Sequence, residues 1–145
     1  MNARLLTTVN PTGVQQPTGL YSHAVKVSAG DLLFVSGQTA WSEDGVFIGE
    51  GDIAAQTRQV FHNLGVVLEG SGADFNAVIE FTTYLVGDET VEPFLETRAE
   101  IFRDLYPNGF YPGSTLVNIS SLGGSKALVE ISATAVVPTV GCGRC

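Results

Sequence analysis

The sequence predicts an α+β domain: a sheet with both helices packed on one face. Three observations lead there. Strand-like and helix-like apolar periods alternate along the chain, in the order strand, hairpin, helix, strand, helix, strand, strand. Two segments carry a helical apolar stripe. The strand segments are apolar on both sides, as in Leu32-Leu33-Phe34-Val35 and in Val129–Val137. Helices cover only one face of such a sheet, so the other needs its own cover, most simply further copies of the chain.

Each element follows from local chemistry. Residues 4–9 form a short strand, and Asn10 to Gly19 is a loop rich in proline and glycine. Tyr21 to Ser28 alternates loosely and reads as a strand. Ala29-Gly-Asp is a hairpin turn into the apolar strand Leu32–Val35. Residues 41–51 form a loop with acidic and glycine punctuation. Asp52 is an N-cap, and Val60, Leu64, Val67 and Leu68 make the first helix's apolar stripe, with Gln56, Arg58, Gln59 and Glu69 off it. Gly70-Ser-Gly72 stops that helix. Val78–Val86 is rich in β-branched and aromatic residues and reads as a strand. Thr90 caps a second helix running to about Leu105, with Phe94, Ile101, Phe102 and Leu105 on one face. Tyr106–Gly113 is a loop. Leu116–Ser120 is a strand, Gly123-Gly124 a turn, and Ala127–Val137 the last strand.

Composition sets limits. The 145 residues suit one domain, and 44% apolar content supports a core. The formal charge is −8, and the seven basic residues are scattered. Nucleic-acid binding needs clustered Lys and Arg, so RNA and DNA are excluded as expected partners. The N-terminus lacks a secretory h-region, and no apolar run has the length of a membrane span, so a soluble, cytoplasmic protein is expected, with no membrane partner. Cys142 and Cys145 form a lone C-x-x-C with no second pair for a zinc site. Residues 138–145 read as a flexible tail.

Five stretches together carry a resemblance. They are Gly19-Leu-Tyr-Ser-His-Ala-Val25, Phe34-Val-Ser-Gly-Gln-Thr39, Gln56 to Leu64 with its Q-x-x-x-x-x-x-N-L spacing, Gly72-Ala-Asp74 with the strand after it, and Val129-Glu-Ile-Ser-Ala-Thr-Ala135. In this order the chain resembles the Rid/YjgF family, also called the RidA or L-PSP endoribonuclease-like family, over residues 19 to 137. The resemblance implies a chorismate-mutase-like fold with a mixed six-stranded sheet and two helices on one face. It further implies a homotrimer with a central barrel and clefts between subunits. Active members hydrolyse enamines and imines to keto acids and ammonia without metal or cofactor. In them an arginine of a P-x-R-[ST] loop binds the substrate carboxylate, and a glutamate of the last strand positions water.

Carried over residue by residue, Glu130 is the expected catalytic glutamate. Tyr21, the backbone at Ser36 and Gly37, and Ser114 and Thr115 are expected to bind substrate. Gly113 is read as standing in the arginine's place, with its N–H left to meet an oxygen. Arg98, on the second helix, reads by default as a surface ion-pairing residue, and alternatively as the cation supplied from another element. Glu130 could instead solvate the sheet, and Tyr21 could be core. His23 and His62 form no catalytic or metal pair in this reading. Trp41 either rims a cleft or covers core. The expected function is a deaminase-like hydrolase acting on a small metabolite, with a non-catalytic sensor or interaction trimer as the alternative.

Overall fold

Asp52 opens the first helix as its chemistry requires. In the computed structural model, which describes residues 5–123 and 126–139, its carboxylate accepts the Ala55 N–H at 3.0 Å and caps α1, Ile53–Gly70. Val60, Phe61, Leu64 and Leu68 are buried along α1 at three- and four-residue steps. Val67, expected on this stripe, is 36% exposed, and Phe61 fills the core instead. Helix α2, Val91–Leu105, buries Phe94, Thr97, Arg98 and Phe102. Thr90 does not cap it through its side chain. It closes a single 3-10 turn, Asp88–Thr90, by donating its hydroxyl to the Gly87 carbonyl at 2.6 Å.

The strands are β1 (Leu6–Val9), β2 (Ala24–Val27), β3 (Asp31–Gln38), β4 (Val78–Val86), β5 (Gly113–Ile119) and β6 (Val129–Val137). Four of them form one mixed sheet, in the order β3-β6-β4-β5. β4 and β5 are parallel, and β6 is antiparallel to both of its neighbours. The connection from β4 to β5 runs through α2, the crossover that a parallel pair needs.

β1 and β2 pair with each other in a separate two-stranded ribbon. The expected six-stranded sheet is therefore divided four and two, and the turn at residues 29–31 does not join β2 to β3 as a hairpin. Gly30 gives the reason. It has φ +121°, and a Cβ there would lie 2.5 Å from Val136 Cγ2 and 2.7 Å from the Val137 carbonyl. The chain presses against the end of β6 as it enters β3. β2 leaves that plane and pairs with β1, Leu6 opposite Val27.

Both helices cover the same face of the four-stranded sheet. Phe61 of α1, Phe102 of α2 and Phe81 of β4 form a ring cluster with centroids 5.8 to 5.9 Å apart. Alternation along β6 then sorts its residues. Val129, Ile131, Ala133 and Ala135 are buried toward the helices, while Glu130, Ser132 and Thr134 stay only partly covered on the other face. On that second face Leu32 and Phe34 of β3 are 56% and 74% exposed. Gln56, expected off the apolar stripe, is fully buried. Its amide donates to the Gly49 and Lys126 carbonyls, and its oxygen accepts the Leu128 N–H.

No helix among the described residues is long and apolar enough to cross a membrane. The Cys142–Cys145 tail and the Gly124 half of the turn after β5 lie outside the described residues.

Candidate functional site

The exposed face of the sheet gathers one cluster around a bulge. Val35 pairs with Ala133 and Gln38 with Ile131, so Ser36 and Gly37 together oppose the single residue Ser132. The bulge turns the Cα of Gly37 toward the side chain of Glu130. A Cβ at Gly37 would overlap the Glu130 carboxylate oxygen and lie 2.8 Å from its Cδ. The missing side chain is thus a steric requirement: glycine makes the space that the Glu130 carboxyl fills. Next to it, Gln38 turns its amide back to the Ser36 carbonyl at 3.2 Å. Glu130 is half-buried and faces Tyr84 across the β4–β6 ladder. A carboxylate beside backbone N–H groups on a bulged edge strand can hold a water and take a proton from it.

A second group forms where the chain enters β5. Ser22 is buried and clamps the loop before β5. Its N–H donates to the Pro112 carbonyl at 3.0 Å and its hydroxyl to the Tyr111 carbonyl at 2.7 Å. This clamp brings the Ser22 carbonyl to 4.0 Å from where a Gly113 Cβ would lie, with the half-buried Tyr21 next to it in the chain. The Tyr21 ring stands edge-on to His23 at 5.9 Å. His23 is exposed, and its Nε2 lies 2.6 Å from the Gln15 carbonyl. Gly113 opposes Glu80 in register, and a Cβ there would meet Glu80 Cβ at 3.5 Å. Thr115 is exposed on the same face as Glu130. From Glu80 to Tyr84 is four residues, so Gly113 sits about 13 Å along the strands from Glu130.

The third group lies on the opposite face. Ser114 is in register with Phe81, a core residue, and its side chain points to α2. There Arg98 donates through Nη1 to the Ser114 hydroxyl oxygen at 3.3 Å. The guanidinium lies between the rings of Phe94 and Phe102, 5.6 and 5.3 Å from their centroids. Arg98 is 8% exposed, and burial pushes its pKa below its ordinary value. Among the described residues it has no ion-pair partner. The two ion pairs present are Arg58 with Glu100 and Lys126 with Glu50, both at the surface. The default expectation of a surface salt bridge for Arg98 is overturned. Its spacing of four from Phe94 and from Phe102 puts it on α2's buried side, and the sequence carried that spacing.

Within one chain, then, the expected site residues do not share a pocket. Glu130, Ser36 and Gly37 form one cluster, Tyr21 and Gly113 another, and Arg98 with Ser114 a third beneath the sheet. A cleft of about 700 Å³ between the β1–β2 ribbon and residues 106–112 holds none of the eight. It is walled by Thr7, Asp74, Asn76, Asn108 and Tyr111 among others. Counted from Pro112, the P-x-R-[ST] spacing that the resemblance implies falls on Ser114 for the arginine and on Thr115 for the small residue, and not on Gly113. The Ser114 hydroxyl is the one that Arg98 reaches.

The remaining candidates resolve simply. His62 is exposed. Trp41 is 50% exposed and stands edge-on to Phe47 at 5.1 Å, a ring that itself packs against the core. Asn63 fixes the end of β3 by donating to the Thr39 and Trp41 carbonyls. Sequence reasoning missed Gln56 and Asn63 as side chains that hold backbone, although both stand in the Q-x-x-x-x-x-x-N-L motif.

A sequence profile of the endoribonuclease L-PSP family matches residues 13–137. The chain belongs to the Rid/YjgF family. This Rid chain is 37% identical over 120 residues to a RutC family protein of Pyrococcus horikoshii, covering 83% of this chain and 89% of that one. It is 31% identical over 137 residues to mouse 2-iminobutanoate/2-iminopropanoate deaminase, covering 94% and 95% of the two chains. Among solved structures, the Rid protein YyfB of Yersinia pestis superposes with a TM-score of 0.81 at 29% identity, over 92% of this chain and 99% of that one. The Rid fold is thus shown, with both helices on one side of a mixed sheet.

Proposed function

We propose that this protein is a deaminase-like hydrolase of small imines or enamines, working in clefts between copies of itself. The observation that carries the reading is the Glu130 carboxyl packed onto the Cα of Gly37 at a bulge on the uncovered face. The name of the mouse relative supports the substrate class. In the step proposed, Glu130 takes a proton from a water whose oxygen attacks the C=N carbon. The C–O bond forms, and the π electrons go to nitrogen, which takes that proton back from Glu130. The carbinolamine then collapses: its hydroxyl proton passes by way of the same carboxyl to nitrogen, the C–N bond breaks, ammonia leaves, and a carbonyl remains. The N–H groups near Gly37 and Gly113, with the Tyr21 hydroxyl, hold the polar end of the ligand. Glu130 needs no metal for this role.

The site is incomplete in one subunit. β3 and β5 are the two outer strands of the four-stranded sheet, and the Glu130 cluster lies toward one edge and Gly113 toward the other. A head-to-tail ring of three copies, with the Leu32 and Phe34 faces turned inward, sets one copy's β5 entrance near the next copy's β3 bulge. This covers apolar surface that a lone subunit leaves in water.

The test is ammonia release from freshly generated imino acids. The wild-type chain is expected to accelerate it, and Glu130→Gln to lower the rate about 100-fold or more while leaving the fold intact. Gly37→Ala should displace the same carboxyl and lose most of the rate with little loss of stability. Absence of turnover over a broad imine panel, with ligand binding retained, would instead establish a non-catalytic sensor.

A further inference from the structure

The cleft between the β1–β2 ribbon and residues 106–112 plays no part in the hydrolytic reading. Its volume of about 700 Å³ is that of a small-molecule site, far more than the gaps left between packed side chains. Leu6 of β1, Val78 at the start of β4 and Val136 near the end of β6 give it an apolar lining. Val78 and Val136 are buried and form its floor. Tyr106 and Tyr111 also line it, and their rings meet at 70° with centroids 6.0 Å apart. Together they make an aromatic corner.

That corner is preformed. Phe102 packs against both tyrosines, with centroids 4.9 and 6.0 Å away. The Tyr106 hydroxyl donates to the Phe75 carbonyl at 3.0 Å, and the Ser22 hydroxyl holds the Tyr111 carbonyl at 2.7 Å. Rings fixed in this way bind without first having to be ordered.

The charge on the walls has one sign. Asp74 is the only residue charged at neutral pH among the described residues that line the cleft. It is exposed, which places it at the rim. Its Oδ1 accepts the Asn76 N–H at 2.8 Å, so the 3-10 turn Phe75–Ala77 holds the carboxylate in place. Among the described residues no Lys, Arg or His forms an ion pair with it. Burial, and then the charge of Asp74, hold the Tyr106 phenol above its ordinary pKa, so this carboxylate acts on the aromatic corner. An anion finds no cation on these walls. A wholly apolar ligand leaves the carboxylate unused, and a small hydrated cation leaves the floor unused. The remaining class has both an apolar body and one positive end. The field of a chain with net charge −8 draws such an ion in.

We propose that this cleft binds a small amphipathic ammonium ion, with its apolar body in the tyrosine corner above the valine floor and its N–H groups on the Asp74 carboxylate. The ring faces add attraction for the positive end. Glu130 and the other residues of the proposed hydrolytic site do not line the cleft, so the two readings stand independently.

The experiment titrates the full-length wild-type chain with four probes at matched ionic strength: 2-phenylethylammonium, its neutral analogue 2-phenylethanol, the anion 3-phenylpropanoate, and ethylammonium, which lacks the ring. Binding is read by calorimetry and by the NMR shifts of the Asn76 and Tyr111 amides. Saturable binding of 2-phenylethylammonium that moves both amides is expected, about fivefold tighter than 2-phenylethanol, with the anion and ethylammonium weaker still. Asp74→Asn keeps an oxygen that can accept the Asn76 N–H. It should bring 2-phenylethylammonium down to the affinity of the alcohol and leave the alcohol's own affinity unchanged. Glu130→Gln should leave all four affinities unchanged, which tells failure of the hydrolase reading from failure of this one. The proposal is overturned if 2-phenylethylammonium binds the wild-type chain no tighter than 2-phenylethanol, a comparison that needs no variant. It is also overturned if Asp74→Asn binds the ammonium as well as wild type, or if the two amides stay fixed while Glu130→Gln abolishes binding.

Discussion

Glu130 and Ile131 are neighbours on one strand, yet they belong to two different kinds of surface. Ile131 has no exposure and lies among the rings of the helix-covered face. Glu130 shares its face with Phe34, which is 74% exposed. The helix side is finished within one chain, with its three central phenylalanines in mutual contact. The other side combines apolar residues in water with a carboxylate seated on a bulge. Packing on the first face is complete within the chain, whereas the second leaves large apolar side chains in water. The covered core and the proposed site are thus separated by the two-residue period of a strand.

The sharpest way to probe this separation is to truncate a large residue on each side. Phe102→Ala removes the ring that touches Phe61, Phe81, Tyr106 and Tyr111 and forms one wall for Arg98. It should cost about 3–5 kcal/mol, seen as a lower midpoint in urea. Phe34→Ser on the uncovered face should leave the intrinsic stability of the subunit within about 0.5 kcal/mol. Its expected effect is on mass, with the proposed trimer falling to monomer in analytical ultracentrifugation. If Phe34→Ser unfolds the chain, or keeps the wild-type mass, the contrast between the two faces is broken.

A smaller effect sharpens the core side. Tyr106 is buried and donates its hydroxyl to the Phe75 carbonyl at 3.0 Å. Burial, and then the nearby charge of Asp74, push its pKa well above the usual 10.0. A raised folded-state value means that its contribution is fully present below about pH 10 and is lost as pH rises beyond the unfolded value. The wild-type chain should therefore lose stability above pH 10, with Tyr106 resisting ionisation at 295 nm until unfolding. Tyr106→Phe should cost about 1 kcal/mol at neutral pH and flatten that alkaline decline.

Much of this architecture was legible in the sequence, because the signals were local. Asp52 capped the helix that it was expected to cap, and Val78–Val86 forms a strand over the span its β-branched run predicted. Other features depended on contacts between distant residues. Nothing within Ala29-Gly-Asp tells whether β2 will pair with β3, since the answer lies in the approach of Gly30 to Val137. Gln56 looked solvent-facing because a polar side chain is read by its type, while its partners are backbone groups up to 72 residues away. Arg98 was misplaced for the same reason: its charge outweighed the Phe94 and Phe102 spacing that buries it. β5 begins three residues earlier than expected, because Gly113 and Ser114 join the ladder through β4 and not through any strand propensity of their own.

The Gln56 amide carries one last implication. It ties the segment before α1 at Gly49 to the approach to β6 at Lys126 and Leu128, and the Lys126–Glu50 pair fastens the same two segments outside. Leu128 stands two positions ahead of Glu130. An insertion or a protease cut between residues 41 and 51 would thus loosen the anchorage of the Glu130 strand from a distance, without altering any residue that Glu130 touches.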